Sequence, residues 1–383
     1  MKPTTRPLDF DWIDRRERLA PVAERLMGME AVGVDLEGDS LFHYQEKVCL
    51  VQIATPAEVI LIDPLGLRDL SPLEAVFADP AVRKVLHGSD YDIRSLDRDF
   101  GIHIHGLFDT QVAARFLGLA EISLADLLKS RFGFLAEKKY QKKDWSVRPL
   151  PEEMLSYAAA DAAYLLPLAT ALEHELRDLD RLSWVEEECE ILSRVRHNPN
   201  AEGPIFKTLR GAGVLDRRGL AVAEEVLKLR IRLAQKLDRP PFKVLGNQSI
   251  LEIAESKPVT LEALGAVKGL GRKQVHSLGP SLLKCVQKAL ELPEESLPSY
   301  PRKKAQRFGP DVMKKIRALK AWREKKAKKL GLDPSVVLTN AQIHAISAAH
   351  PAGADELRGV EVVRDWQCRV FGPEVLKIIG RRS

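Results

Sequence analysis

The sequence predicts an α/β domain followed by two all-α helical bundles, and three observations predict it. Strand-like and helix-like segments alternate through the first half, and strand signals largely vanish from about Gly211 onward. A stretch of the second half recurs at a constant offset of 93 residues. Charge divides along the same line. Residues 1–200 hold 24 Lys/Arg against 35 Asp/Glu, a net of −11. Residues 201–383 hold 35 against 19, a net of +16, and the halves sum to the chain's +5.

The elements follow in order. Ala31 to Glu37 reads as a strand, and Val48 to Ala54 and Val59 to Asp63 read as two more around a turn at Thr55-Pro56. These first strands are expected to form a meander. Leu73 to Phe77 has helical spacing, Val82 to His87 is strand-like, and Asp92 to Phe100 is helical again. Thr110 to Leu117, Leu124 to Arg131 and a long stretch from Glu152 to about Leu179 complete the first domain, with Pro151 suited to a first helical turn.

Beyond it, Leu220 to Leu237 is an amphipathic helix, and shorter helical pieces follow to about Leu290. Leu292 to Pro310 contains four prolines and reads as a linker, and a second helical block runs from Val312 to Ile379. Val244 to Ile250 matches Val337 to Ile343 at the offset of 93, as do Leu237 with Leu330, Pro241 with Pro334, Pro258 with Pro351 and Gly279-Pro280 with Gly372-Pro373. Lys268-Gly269 pairs better with Arg358-Gly359, which asks for a short gap. The reading is a tandem duplication, with a first domain over 1–200, helical domains over 211–292 and 311–383, and a linker over 293–310.

Composition narrows the class. Hydrophobic residues make up 45% and charged residues 30%, as in globular proteins. No uninterrupted apolar run approaches the roughly 20 residues that span a bilayer, and Met1 to Asp14 carries three aspartates and no apolar core, unlike a secretory signal. No membrane partner is therefore expected. Cys49, Cys189, Cys285 and Cys368 form no C-x-x-C pair, so small buried hydrophobes in a reducing cytoplasm are expected. No heptad or exposed apolar stripe argues against a monomer. The basic second half suits a polyanion held against it, or a solvated basic surface.

Asp35 and Glu37 are the sharpest local feature. Residues i and i+2 of a strand face the same side, so two carboxylates project together from an otherwise apolar strand. Either they are solvated on an open face, or a cation neutralises them, since burying two like charges is costly. Hard oxygen ligands suit magnesium or manganese. Tyr157 and Asp161 lie four apart on one helix face with three alanines between them, which lets another surface come close. A buried tyrosine bonded to a polar neighbour would give the same pattern. Asp92 starts a helix after Leu86-His87-Gly88, with Asp90 as its rival and a helix-capping acid as the ordinary alternative for either. His87 is read as structural.

In order and approximate spacing, Asp35-x-Glu37, Asp92 and Tyr157-x-x-x-Asp161 resemble the three exonuclease motifs of the DEDDy nucleases. The surroundings resemble the ribonuclease D branch: Val48 to Ile53, His87-Gly88-Ser89, Arg98 to Gly101, Phe108-Asp109-Thr110, Lys138 to Gln141, Asp144-Trp145, Arg148-Pro149-Leu150 and Tyr164 to Pro167. The likeness spans roughly residues 25–180 and selects Asp92 over Asp90. The C-terminal pair is similar to the HRDC module, present twice. Gly38 to Glu46 and the stretch at Lys138 look closer to the eukaryotic exosome-associated relatives than to the enteric enzyme.

The resemblance implies an RNase H-like (DnaQ-like) fold and a 3′→5′ exoribonuclease that trims RNA 3′ ends, tRNA precursors among them. It implies two divalent metal ions, Mg2+ or Mn2+, with Asp35 bridging both, Glu37 and Asp161 completing one site, and Asp92 serving the other directly or through water. Tyr157 would orient the attacking water, and nucleoside 5′-monophosphates would be released. Binding energy for single-stranded nucleic acid would come from basic regions. Arg302 to Leu330 carries thirteen Lys/Arg against two acids. Lys138, Lys139, Lys142, Lys143 and Arg148 precede the catalytic helix. A DNA exonuclease of the Werner type and a catalytically silent RNA-binding adaptor are the alternatives.

Overall fold

The computed structural model describes residues 9–135, 139–198, 203–301 and 308–380. Six strands form one mixed sheet: β1 (Phe10–Ile13), β2 (Ala31–Gly38), β3 (Val48–Ala54), β4 (Val59–Ile62), β5 (Arg83–Leu86) and β6 (Leu107–Asp109), in the spatial order β1-β4-β3-β2-β5-β6. β2, β3 and β4 make the expected antiparallel meander, with Thr55 N–H donating to Glu58 O at the hairpin (2.9 Å). β1 joins β4, β5 joins β2 and β6 joins β5, all in parallel. β3 is buried along its whole length, as a strand covered on both faces must be.

The helices of this region are α1 (Arg16–Met27), α2 (Pro64–Leu67), α3 (Glu74–Ala78), α4 (Asp90–Phe100), α5 (Thr110–Leu117), α6 (Leu124–Phe132), α7 (Glu152–Ala163), α8 (Leu165–Asp178) and α9 (Leu182–Ser193). The long helix expected from Glu152 to Leu179 is therefore two. Pro167 lacks the N–H that would reach Ala163 O and its ring crowds that carbonyl, so the ladder breaks at Tyr164. The stretch Glu152–Asp178 is long and apolar enough by length and composition to cross a membrane, although acids interrupt it. Half of its most apolar window is buried inside the protein, and its Glu173 pairs with Arg83 of β5.

The second half folds as two sets of five helices: α10 (Arg217–Leu237), α11 (Pro241–Val244), α12 (Asn247–Ser256), α13 (Leu261–Gly265) and α14 (Arg272–Leu290), then α15 (Pro310–Leu330), α16 (Pro334–Val337), α17 (Asn340–Ala349), α18 (Ala354–Arg358) and α19 (Asp365–Ile379). Every helix of the second set starts 93 residues after its counterpart. No gap intervenes, and Lys268-Gly269 is not the counterpart of Arg358-Gly359. Gly269 follows α13 at φ 81°, whereas Gly359 directly follows α18 at φ −70°.

The contacts divide the chain into two compact units. One holds the described residues within Met1–Gly38, Val48–His197 and Arg307–Ser383, so the second helical set shares a core with the sheet domain. Trp366 of α19 stacks on Trp184 of α9 at 4.7 Å, and Glu187 accepts from the N–H groups of Asp365 (2.6 Å) and Trp366 (2.8 Å). The other unit holds the described residues within Asp39–Lys47 and Asn198–Gln306. Leu297, within the expected linker, is buried in its core, and residues 302–307 lie outside the described ones. Asp238, at the end of α10, binds the loop through His43 Nδ1 (2.7 Å) and Tyr44 N (3.1 Å). All four cysteines are buried thiols outside any disulfide.

Candidate active site

Asp35 and Glu37 project from the same face of β2, the face covered by α7 and α8. The close approach depends on Gly33, two residues earlier on that face. A Cβ there would meet Ala162 O at 2.9 Å and Leu165 Cβ at 3.1 Å, so only a glycine lets the helix pair settle on the strand. The alanines of α7 keep its own side of the contact thin. Pairing of β2 with β3 slips between Glu37 and Gly38, an irregularity of the kind that re-aims side chains at functional strand ends. As a result, carboxylate oxygens of Asp35, Glu37 and Asp161 all lie within 4.8 Å of one another, although Asp161 is 126 positions further along the chain.

The electrostatics register this crowding. Burial, then the charges of Asp161 and Asp92, push the Asp35 carboxyl well above its usual range. Glu37 is raised by burial and then by Asp35, Asp161 and Asp92. Asp161 is pushed up to about 6 by burial, against the stabilising hydrogen bond from the Tyr157 hydroxyl. Asp92 is pushed up to about 7 by burial and by Asp109. Burial and the surrounding carboxylates keep the Tyr157 phenol protonated far above neutrality. Hard oxygen donors, mutually repelling, with Asp161 buried and Asp35 and Glu37 half-buried, fit a divalent cation, which would remove the repulsion.

Asp90 and Asp92 both fall in the first turn of α4, and their environments differ. Asp90 is exposed and bound by Arg94 (Nε 2.9 Å, Nη2 3.2 Å). Asp92 instead adds its charge to the Asp35 and Glu37 fields. His87 donates or accepts at Thr110 Oγ1 (2.9 Å) and has no carboxylate from the trio as partner.

Several positioning residues lie in the stretches that carry the family likeness, but nothing in their own spacing assigns them a role. Asp109 is fully buried and accepts from Gly88 N (3.0 Å), Ser89 N (2.7 Å), Ser89 Oγ (2.8 Å), Gln111 N (2.8 Å) and Val112 N (3.1 Å). It fixes the turn that delivers Asp92, yet in sequence it is only a helix-capping acid. Arg148, expected near substrate, is committed elsewhere: it forks onto Asp63 (2.8 and 2.7 Å) and donates to Cys49 O (2.6 Å). That clamp ties the leader of α7 to β3 and β4. Trp145 and Tyr140 flank the Tyr157 ring at 6.2 and 5.7 Å. Lys142 and Lys143 are exposed, Lys139 lies 4.8 Å from the Tyr140 ring, and Lys138 lies outside the described residues.

Comparison with known proteins places this geometry. The family model for 3′-5′ exonucleases matches residues 10–177, and that for the HRDC domain matches residues 219–286 and 313–379. Ribonuclease D of Gluconacetobacter diazotrophicus is 31% identical over 371 residues, 96% of this chain and 92% of that protein. Mouse exosome complex component 10 is 34% identical over 290 residues, 72% of this chain and 32% of that protein. The crystal structure of Escherichia coli RNase D superposes with a TM-score of 0.72 at 26% identity, over 97% of this chain and 99% of that one. The matches run nearly end to end and cover both the sheet domain and the paired helical modules, and the chain belongs to the ribonuclease D family, as a 3′→5′ exoribonuclease with two HRDC domains.

Proposed function

We propose that Asp35, Glu37, Asp92 and Asp161 hold two divalent cations, Mg2+ or Mn2+, and that Tyr157 completes the catalytic set. The observation that carries this reading is the convergence of three carboxylates within 4.8 Å. When bound, such cations supply water activation and neutralise charge on the attacking and leaving oxygens of an in-line displacement. The chain's own part is to present the ligands and exclude bulk water. Asp35, whose carboxyl feels the charges of both Asp161 and Asp92, would hold cations together with Glu37 and Asp161 and with Asp92. Tyr157 stays neutral. Its hydroxyl donates to Asp161 and keeps lone pairs with which to accept from the attacking water, so its role is orientation.

The products on this reading are nucleoside 5′-monophosphates released from a single-stranded 3′ end. The E. coli relative is described as an exoribonuclease involved in structured RNA processing, which supports structured RNAs with free 3′ ends as substrates; on this reading tRNA precursors are the first substrates and the protein acts as a monomer. The test uses an RNA labelled at its 5′ terminus, incubated with Mg2+, Mn2+ or chelator, beside an Asp35→Asn variant. Stepwise shortening from the 3′ end should require metal and fall by ~10²–10³-fold or more in the variant, the scale of losing one preorganised electrostatic group. Shortening that survives chelation or the substitution sinks the carboxylate assignment. Faster shortening of DNA of the same sequence moves the substrate to the Werner-type alternative.

A further inference from the structure

The second HRDC domain carries an open groove at a place where its duplicate is closed. On α15, Lys314, Ala318, Ala321 and Lys325 fall on one helical face and all four are exposed. The matching residues of α10, at the offset of 93, are Ala221, Glu225, Lys228 and Arg232. There Ala221 is only 2% exposed, and Glu225 is bound by Lys228 (3.1 Å) and Lys288 (2.6 Å), which draws α14 onto that face. One duplicated helix thus keeps the packed state, and in the other Lys314 and Ala318 replace the packed Ala221 and Glu225; the remaining rim cations are common to both copies, Arg232 and Lys284 matching Lys325 and Lys377.

The groove encloses about 1130 Å³ between α15 and α19, with His350 at one end. Its floor is Ala318, Ala321, Trp322 and Ile378, and Lys314, Lys325 and Lys377 stand at its rim. Two acids line it: Asp311, exposed in the first turn of α15, and Glu374 of α19, which is engaged by Trp322 Nε1 (2.7 Å) and by Lys326. Lys315 contacts His350. The eleven residue steps from Lys314 to Lys325 cover ~16 Å along the helix axis. Cations at that spacing, over a flat floor of methyl groups with an indole beside it, match a thin polyanion with planar side groups. Such sites combine a basic track with an aromatic stacking surface. A folded acidic protein would bring bulk that the narrow floor does not need.

We propose that this groove is a docking track for single-stranded RNA, with phosphates at Lys314, Lys325 and Lys377 and a base against Trp322. The inference deepens the RNA reading above and rests on it. It assigns to one face of the second HRDC domain the binding energy that the acid cluster, repelling phosphate until cations arrive, does not provide.

The test measures anisotropy of a 5′-fluorescein, unstructured oligoribonucleotide with the full chain in chelator, where nothing is cleaved. Lys314→Glu with Lys325→Glu and Lys377→Glu should weaken binding tenfold or more, and the corresponding triple Gln variant should fall between it and the wild type. Removing three phosphate contacts should lower the slope of log affinity against log salt by about two, at ~0.7 per contact for single strands. Hydrolysis of a ribonucleotide dimer with metal, too short to fill groove and catalytic centre together, should stay at the wild-type rate. Unchanged affinity and slope in both folded variants would overturn the proposal, as would binding of poly-glutamate in preference to RNA, or dimer hydrolysis falling in step with affinity. Wild-type protein that binds RNA through these lysines but never shortens it would leave the groove standing and sink the catalytic reading instead.

Discussion

Asp92 sits half-buried beside the buried carboxylate of Asp109, and desolvation and that neighbouring charge raise its carboxyl to about 7. In the unfolded chain the same group titrates at about 3.9. Below that pH both states hold the proton and no penalty exists. Between about 4 and 7 the unfolded state ionises first, so metal-free native protein loses stability as pH rises, and above 7 the penalty is constant. Asp92→Asn removes it. In chelator the variant should melt several degrees above the wild type at pH 8, with the gain shrinking to nothing at pH 4. Saturating Mg2+ should cancel or reverse the order, since cations bind the native state of the wild type. Melting curves across that pH range decide it, and a variant less stable than wild type at pH 8 in chelator would refute the strained-acid account. The candidate acids were legible because strand and helix periods place Asp35 with Glu37 and Tyr157 with Asp161. Asp109 was not, because five backbone and hydroxyl donors converging on one carboxylate come from two turns twenty residues apart.

At the scale of elements, the site depends on how closely α7 approaches β2. Gly33→Ala would set a methyl group 2.9 Å from Ala162 O, a backbone atom that moves only if the helix moves. Displacing α7 by a fraction of an ångström to 1 Å would separate Asp161 from Asp35 and Glu37. Such a misplacement costs on the order of 10²-fold in turnover, so kcat/KM should fall about that far while the melting temperature changes modestly. Calorimetric titration should show weakened metal binding in parallel. Unchanged metal affinity would mean that the close contact does not set the acid geometry. The elements that carry the site were readable, since β2 to β5 are apolar runs bounded by turns and α4 to α6 have clear periods. β1 and β6 escaped because four and three residues are too few to show alternation. β1 has an aspartate in its middle, and both edge strands owe their extended form to neighbours already in place. The break at Tyr164 was also missed, because alanines and leucines continue the helical pattern across it.

For the whole molecule, the duplication was visible in sequence but the unequal fates of its copies were not. Both copies have the same helices in the same register, yet only the second shares a core with the sheet domain. What distinguishes them is a handful of contacts between distant residues. Trp366 is fully buried against Trp184, Phe116 and Phe371, its indole N–H donates to Glu188 (3.0 Å), and Arg181 reaches Leu330 O (2.7 Å). The second HRDC domain is thus part of the structural support of the exonuclease, while Phe206 and its neighbours form a separate core. Trp366→Ala should cost ~3–5 kcal/mol, as deletion of a large buried aromatic does. Because α19 and α9 lie in one cooperative body, the temperature at which exonuclease activity is lost should fall with it. Phe206→Ala should lower a calorimetric transition by a comparable amount and leave that inactivation temperature nearly unchanged. Scanning calorimetry of the two variants, paired with residual activity after heating, separates these outcomes. Equal inactivation shifts would mean that the two cores melt as one, and that the second HRDC domain has no privileged tie to the catalytic sheet.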